Sequence, residues 1–264
     1  MSKEGGITET ELIDAATGLA FYLSAMLVLC DTANQRSPTS RRTHQRGARL
    51  QAGHRQLRVV ALAECGTHTL FALAMGPYST GEKTLARQLL PSLSKGMLLL
   101  AGRYYFGFDI WEEASASGAE LVWRTKSDHS LPVDGRLADG SYLSHVQPSG
   151  GRKGERAVAV RVVEYNIDDP GRPRGEDASY RLITTILAPE DAPAGELAGL
   201  YGERWEFETT LDELKTHQRG PRAVLRSKSP EGVRQEVYGF FCTHYAIRAL
   251  MPRWPTTRAS TQTG

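Results

Sequence analysis

The chain has 264 residues, 40% of them hydrophobic and 23% charged, which is the composition of a folded globular protein and excludes a disordered one. Its formal net charge of +2 excludes a uniformly basic or acidic protein and by itself indicates no partner. The three cysteines, Cys30, Cys65 and Cys242, are too far apart for a metal or redox motif, so we expect reduced thiols in a cytoplasmic protein.

The first predicted element is a helix over residues 7–30. Thr8 or Thr10 can cap its start, and residues 18–30 form an unbroken apolar run. This run is too short to span a bilayer as a helix. The residues before it include Glu9, Glu11 and Asp14, whose negative charge is wrong for a signal peptide. We therefore expect a buried helix and no association with a membrane.

Residues 31–55 are predicted to form a basic loop. No acidic residue lies between Asp31 and Glu64, whereas arginine is frequent in this stretch, at Arg36, Arg41, Arg42, Arg46, Arg49, Arg55 and Arg58. Such a run attracts polyanions through its charge and through the release of counterions. A solvated loop without a partner explains the same composition, and both interpretations stay open.

Short apolar runs alternate with helical segments over residues 56–125. Two runs rich in β-forming residues, 57–65 and 68–75, are separated by Gly66 and Thr67 and predict a hairpin. The next predicted elements are, in order, a helix at 82–90, a buried strand at 97–101, a helix at 108–117 and a strand at 119–124. This order predicts an α/β domain with a mixed sheet and helices packed against it.

Residues 126–190 are interrupted by glycine and proline and predict a β-rich insertion, with strong strands at 157–165 and 180–187. Two long helices at 194–217 and 229–251 follow, so that residues 191–251 complete the α/β domain. Pro252 and Pro255 end the last helix, and we expect residues 252–264 to form a disordered tail.

The segment 201–215 carries the most informative pattern. On a helix, Tyr201, Arg204, Glu208 and Lys215 fall on one face, because they lie within about 60° of one another at about 100° per residue. A carboxylate suits Mg²⁺, and the neighbouring cations suit phosphate oxygens. The alternative is an exposed helix face that holds ion pairs between residues four apart, which needs no ligand.

The spacing of these four residues matches the signature of the insertion-sequence family four DDE transposases, and the chain resembles that family. Other segments are similar to it as well, among them 59–68, 80–93, 96–101, 105–111 and 212–239. The resemblance covers about residues 31–251. It implies an α/β, RNase H-like mixed sheet with flanking helices and a β-rich insertion before the last catalytic helix.

The resemblance also implies a chemistry. In this family two aspartates and one glutamate hold two Mg²⁺ or Mn²⁺ ions for strand cleavage and transfer in DNA transposition and recombination. It makes Glu208 the catalytic glutamate and a metal ligand. It makes Tyr201, Arg204 and Lys215 contacts to double-stranded DNA at the terminal inverted repeats. A homo-oligomer is compatible with this reading.

Two positions depart from the family pattern. Gly102 follows the strand 97–101, where the family has its second aspartate, and Asp109 belongs to the next matching segment. No acidic residue lies between Asp14 and Asp31, where the first aspartate is expected. We hypothesise a deletion that removed the first strand and left residues 1–30 as the remnant of an N-terminal helical domain. Whether Asp31 replaces the missing ligand stays open.

The sequence therefore predicts a degenerate transposase with impaired catalysis. The first alternative is a non-catalytic DNA-binding or regulatory protein derived from a transposase. The second alternative is a product without function that does not fold stably, because loss of the first strand would expose a sheet edge.

Overall fold

The computed structural model describes residues 19–30, 55–65, 67, 69–126, 128–148, 156–166, 179–202 and 225–250. The strands in these ranges are β1 Leu19–Cys30, β2 Arg55–Glu64, β3 Leu70–Pro77, β4 Met97–Ala101, β5 Glu120–Thr125, β6 Gly135–Arg136, β7 Tyr142–Val146, β8 Val158–Asn166 and β9 Ser179–Thr184. The α-helices are α1 Glu82–Arg87, α2 Phe108–Ser115, α3 Ala194–Gly202 and α4 Pro230–Leu250.

All nine strands belong to one sheet, in the order β3-β2-β1-β4-β5-β9-β8-β7-β6. Strand β2 pairs antiparallel with β1 on one side and with β3 on the other. Strand β4 pairs parallel with β1, and β5 pairs parallel with β4. The predicted hairpin is confirmed as β2 and β3, and the backbone N–H of Glu64 donates to the carbonyl of Thr69 across 2.9 Å at their junction. The sheet is mixed, as predicted.

The predicted helix over residues 7–30 is wrong for residues 19–30, which form the central strand β1. This strand pairs with β2 on one side and with β4 on the other, with Leu19 opposite Met97 and Leu23 opposite Ala101. Its sequence is a continuous apolar run without polar alternation, so periodicity cannot distinguish it from a buried helix. The sheet has no gap between β2 and β4, because β1 lies there, and the deletion that would have left residues 1–30 as a remnant stays a hypothesis.

Helices cover both faces of the sheet. Alternate residues of β4 point to opposite sides: Leu98 and Leu100 pack in one core with α3 and α4, and Leu99 and Ala101 pack in a second core with α1 and α2. We call these two sides the α3/α4 face and the α1/α2 face. The continuous apolar sequence of β4 follows from this burial on both sides.

Two tryptophans pack in the core on the α1/α2 face. Trp111 of α2 and Trp123 of β5 are both fully buried, and their rings meet edge to face with centroids 5.3 Å apart. Gly118 adopts φ +80° at the turn between α2 and β5, a conformation that residues with a side chain rarely adopt. The helix predicted at 82–90 is shorter than expected, because α1 ends at Arg87 and a 3-10 turn follows at Leu90–Ser92.

The β-rich insertion is confirmed, and it extends the main sheet. Strand β9 pairs antiparallel with β5 on one side and with β8 on the other, and β7 and β6 continue the sheet outward. Strand β9 ends at Thr184, before the predicted residue 187. There the hydroxyl of Thr185 accepts a hydrogen bond from the backbone N–H of Leu121 across 2.9 Å.

The two late helices are α3 and α4. The bounds of α4 agree with the predicted helix at 229–251. The predicted helix at 194–217 is present as α3 to Gly202, and its remainder lies outside the described residues, as does the tail 252–264. Within the described ranges, no helix is both long enough and apolar enough to cross a membrane.

Candidate functional site

The parallel strands β1, β4 and β5 have their carboxyl ends at one edge of the sheet. In open α/β sheets this edge is where ligands bind. We call it the carboxyl edge, and it includes the end of β4 at Ala101, the following Gly102 and the end of β5 at Thr125. Strand β1 continues beyond the end of β4, because Leu23 already lies opposite Ala101.

Helix α3 brings the first residue of the signature to this edge. The hydroxyl of Tyr201 donates a hydrogen bond to the backbone carbonyl of Ala101, with the oxygens 3.3 Å apart. Leu197 and Leu200 on the same helix are buried in the α3/α4 core. The end of α3 is therefore attached to the last residue of the strand before Gly102, 100 residues away along the chain.

The side chain of Tyr201 is only 1% exposed. Its phenol is thus inside the protein, and a contact between this side chain and DNA requires the phenol to leave the Ala101 carbonyl. The other three signature residues, Arg204, Glu208 and Lys215, lie outside the described residues, as does Asp31. The expected roles of all four signature residues stay predictions.

A buried arginine fixes the start of α3. Arg161 on β8 is fully buried, and its Nε donates to the hydroxyl of Ser141 at 2.8 Å. Its Nη1 donates to the carbonyl of Ala192 at 2.7 Å, and its Nη2 lies 2.5 Å from a carboxylate oxygen of Asp139. The same carboxylate oxygen accepts the backbone N–H of Ala194, the first residue of α3, at 2.9 Å.

The electrostatics of Asp139 favour the charged form. Burial opposes its ionisation, but hydrogen bonds from Ser141 and from the backbone of Ala194, together with the charge of Arg161, outweigh that effect and lower the pKa of Asp139. The β-rich insertion is thereby joined to the start of α3 by an ion pair with hydrogen bonds. The sequence analysis did not identify Arg161, Asp139 and Ser141 as a group. An arginine within the valine-rich β8 does indicate a buried charge that needs a partner.

Neither the residues of β1 nor Gly102 after β4 supply a carboxylate to the carboxyl edge, and Asp31, which follows β1, lies outside the described residues. Strand β1 has the sequence L-A-F-Y-L-S-A-M-L-V-L-C, and Gly102 follows β4. In the part of the chain that the structure describes, no group of three or more histidine, cysteine, aspartate or glutamate residues could hold a metal ion. Because Mg²⁺ needs several oxygen ligands in near-octahedral geometry, β1 and position 102 do not by themselves supply the ligands of a two-metal centre.

The strand order, the parallel β1, β4 and β5 and the helices on both faces define an RNase H-like α/β fold, with a β-rich insertion before α3. The family model "Transposase DDE domain" matches residues 29–245, and the chain belongs to this family.

One curated relative is "Transposase InsG for insertion sequence element IS4" from Escherichia coli (strain K12), which is 27% identical over 234 residues. The match covers 84% of this chain and 49% of the relative, so the chain spans about half the length of the curated relative it matches. The resemblance to insertion-sequence family four is thereby confirmed.

Two solved structures are similar at 10% identity. A piggyBac transposase synaptic complex with hairpin DNA has a TM-score of 0.47, with 92% of this chain and 52% of that chain covered. An endonuclease V from Bacillus subtilis has a TM-score of 0.28, with 89% and 84% covered.

Proposed function

We propose that this chain is a transposase of a bacterial insertion sequence that binds the double-stranded DNA of the terminal inverted repeats and is impaired in strand cleavage and transfer. The contact between Tyr201 and Ala101 supports this proposal, because it joins α3, where the signature begins, to the end of β4. Family membership and the carboxyl edge as the ligand-binding edge of such sheets support it.

The position of Tyr201 has a consequence for Glu208. A helix that continues from α3 would place Glu208 seven residues further on, about two turns and about 10 Å along the axis. Seven residues rotate by about 700°, so Glu208 would share the face of Tyr201. In the proposed arrangement this carboxylate lies beyond the end of β4, and Arg204 and Lys215 beside it contact phosphate oxygens.

The proposed impairment rests on the missing carboxylates. Bound Mg²⁺ or Mn²⁺ would supply the charge stabilisation for phosphoryl transfer in such enzymes. In this chain neither β1 nor position 102 provides an acidic ligand, and Glu208, with or without Asp31, leaves the set of three carboxylates incomplete. The residues that remain bind and orient DNA. We also propose that the protein acts in the cytoplasm with its thiols reduced. Assembly as a homo-oligomer is compatible with this function.

A binding assay tests the proposal. The purified chain should shift a duplex carrying its terminal inverted repeat more strongly than a scrambled duplex, and the affinity should fall with added salt. Replacing Arg204 and Lys215 together by glutamine should weaken binding, because two phosphate contacts are lost. Equal affinity of the wild-type chain for both duplexes would refute specific end binding.

A cleavage assay separates the two candidate functions. A non-catalytic DNA-binding or regulatory protein derived from a transposase is the second candidate, and the absence of carboxylates at Gly102 and in β1 favours it. We expect no nicking or joining of terminal DNA in Mg²⁺ or Mn²⁺ and no further loss in Glu208→Gln. Cleavage at a rate that depends on Glu208 would favour an active transposase.

A further inference from the structure

Two lysines lie near the carboxyl edge. Lys83, in the first turn of α1, donates a hydrogen bond from Nζ to the carbonyl of Phe106 at 2.6 Å. Gly107 lies beside this contact, and a Cβ added there would lie 3.3 Å from Nζ. Lys126 directly follows the end of β5, so it is at the same edge.

These positive charges lie close enough to influence each other. The pKa of Lys83 is lowered, first by burial and then by the charges of Arg87 and Lys126. Arg87 is compensated by Glu113, since its Nε lies 2.8 Å from a carboxylate oxygen. No ion pair compensates Lys83 or Lys126 among the residues that the structure describes. A polyanion would supply the missing negative charge.

An exposed aromatic ring lies beside these lysines. The loop 102–107 after β4 directs Tyr105 into the core, whereas the side chain of Tyr104 is 58% exposed. The Nζ of Lys83 lies 5.9 Å from the centroid of the Tyr104 ring, which is within range of a cation–π contact. An exposed ring next to uncompensated cations is the combination with which proteins bind nucleic acid strands.

We propose that Lys83, Tyr104 and Lys126 form a second DNA-contacting surface, in addition to the signature helix. The lysines contact backbone phosphates and the Tyr104 ring packs against a base or sugar at the DNA end. The two sets of contacts flank the end of β4, since Tyr201 approaches Ala101 from the α3/α4 face and Tyr105 of the loop packs in the α1/α2 core. This inference rests on the proposed binding of terminal DNA.

Lys126 and Lys95 form a matched pair for the test. Both are exposed and neither has an ion pair within the described ranges, but Lys95 precedes β4 and therefore lies at the opposite edge of the sheet. At about 0.1 M salt we expect Lys126→Gln to weaken binding to terminal duplex DNA about three- to tenfold in fluorescence anisotropy. It should also reduce the slope of log K against log salt by about 0.9. Lys95→Gln should leave the affinity and the slope unchanged.

Tyr104 tests the aromatic contribution separately. Tyr104→Ala should weaken binding by about fivefold or more, and Tyr104→Phe should retain it, because the ring and not the hydroxyl makes the proposed contact. Unchanged folding of each variant is checked by its thermal unfolding midpoint.

The outcomes distinguish this surface from the binding function itself. If the wild-type chain binds no terminal DNA, both proposals fail. If it binds but Lys126→Gln and Lys95→Gln weaken it equally, or Tyr104→Ala has no effect, only the second surface is refuted. Binding of poly-glutamate that matches DNA in affinity and in sensitivity to Lys126→Gln would assign the surface to an acidic protein segment and overturn the inference.

Discussion

Arg161 is a charged residue that lies fully inside the protein. Its guanidinium is fully buried and is satisfied by Ser141, Ala192 and Asp139. Removing one partner of a buried ion pair leaves the other partner and its hydrogen-bonding groups unsatisfied, which is more costly than loss of an exposed pair. The stability of the chain and the placement of α3 should therefore both depend on this side chain.

We expect Arg161→Ala to lower the free energy of unfolding by about 3 kcal/mol, measured by urea denaturation. The matched control is Arg87→Ala, which breaks the exposed pair with Glu113 and should cost less than about 1 kcal/mol. Hydrogen exchange should report faster exchange at Ala194 in the Arg161 variant alone, because its N–H bonds to Asp139. Equal losses in the two variants would argue against a structural role of the buried pair.

Among the secondary-structure elements, β1 and β4 determine what the carboxyl edge can bind. Since Leu23 lies opposite Ala101, the register places Ser24 level with Gly102 on the neighbouring strand. Gly102→Asp alone should therefore leave cleavage undetectable, because β1 still has no acidic residue. Gly102→Asp combined with Ser24→Asp places two carboxylates at the same level on adjacent strands.

The double variant should bind Mn²⁺ about tenfold or more tightly than either single variant, because two neighbouring carboxylates share the ion's positive charge. Isothermal titration with Mn²⁺ measures the difference, and Ser24→Asp without the change at Gly102 is the control. Affinity in the double variant that only equals that of the singles would contradict the parallel register between β1 and β4.

The same elements show what local sequence can and cannot predict. The strands β2, β3, β4 and β5 and the helix α4 follow from their runs of apolar residues and from the turns between them. Strand β1 does not, because a continuous apolar run without polar alternation fits a buried helix as well as a strand. Strand β6 has only two residues, and β7 has the mixed sequence Y-L-S-H-V instead of the apolar run that identifies β4.

At the scale of the whole molecule, the features that local sequence could not predict are long-range contacts. Pairing of β9 with β5 and the hydrogen bond from Tyr201 to Ala101 join segments far apart in the chain. The family signature predicted that residues 201–215 belong to the site. It could not predict that Arg161 and Asp139 of the β-rich insertion hold the start of α3, the helix in which the signature begins.

The continuous sheet predicts how the molecule unfolds. Because β9 pairs with both β5 and β8, the insertion cannot detach without exposing the edge of β5. We expect one cooperative transition, in which far-UV circular dichroism and tryptophan fluorescence have the same midpoint. To restrict fluorescence to the core, Trp205 and Trp254 are replaced by phenylalanine, which leaves Trp111 and Trp123 on the α1/α2 face. A circular dichroism midpoint below the fluorescence midpoint would show that the insertion unfolds on its own, and the absence of any transition would favour an unfolded product.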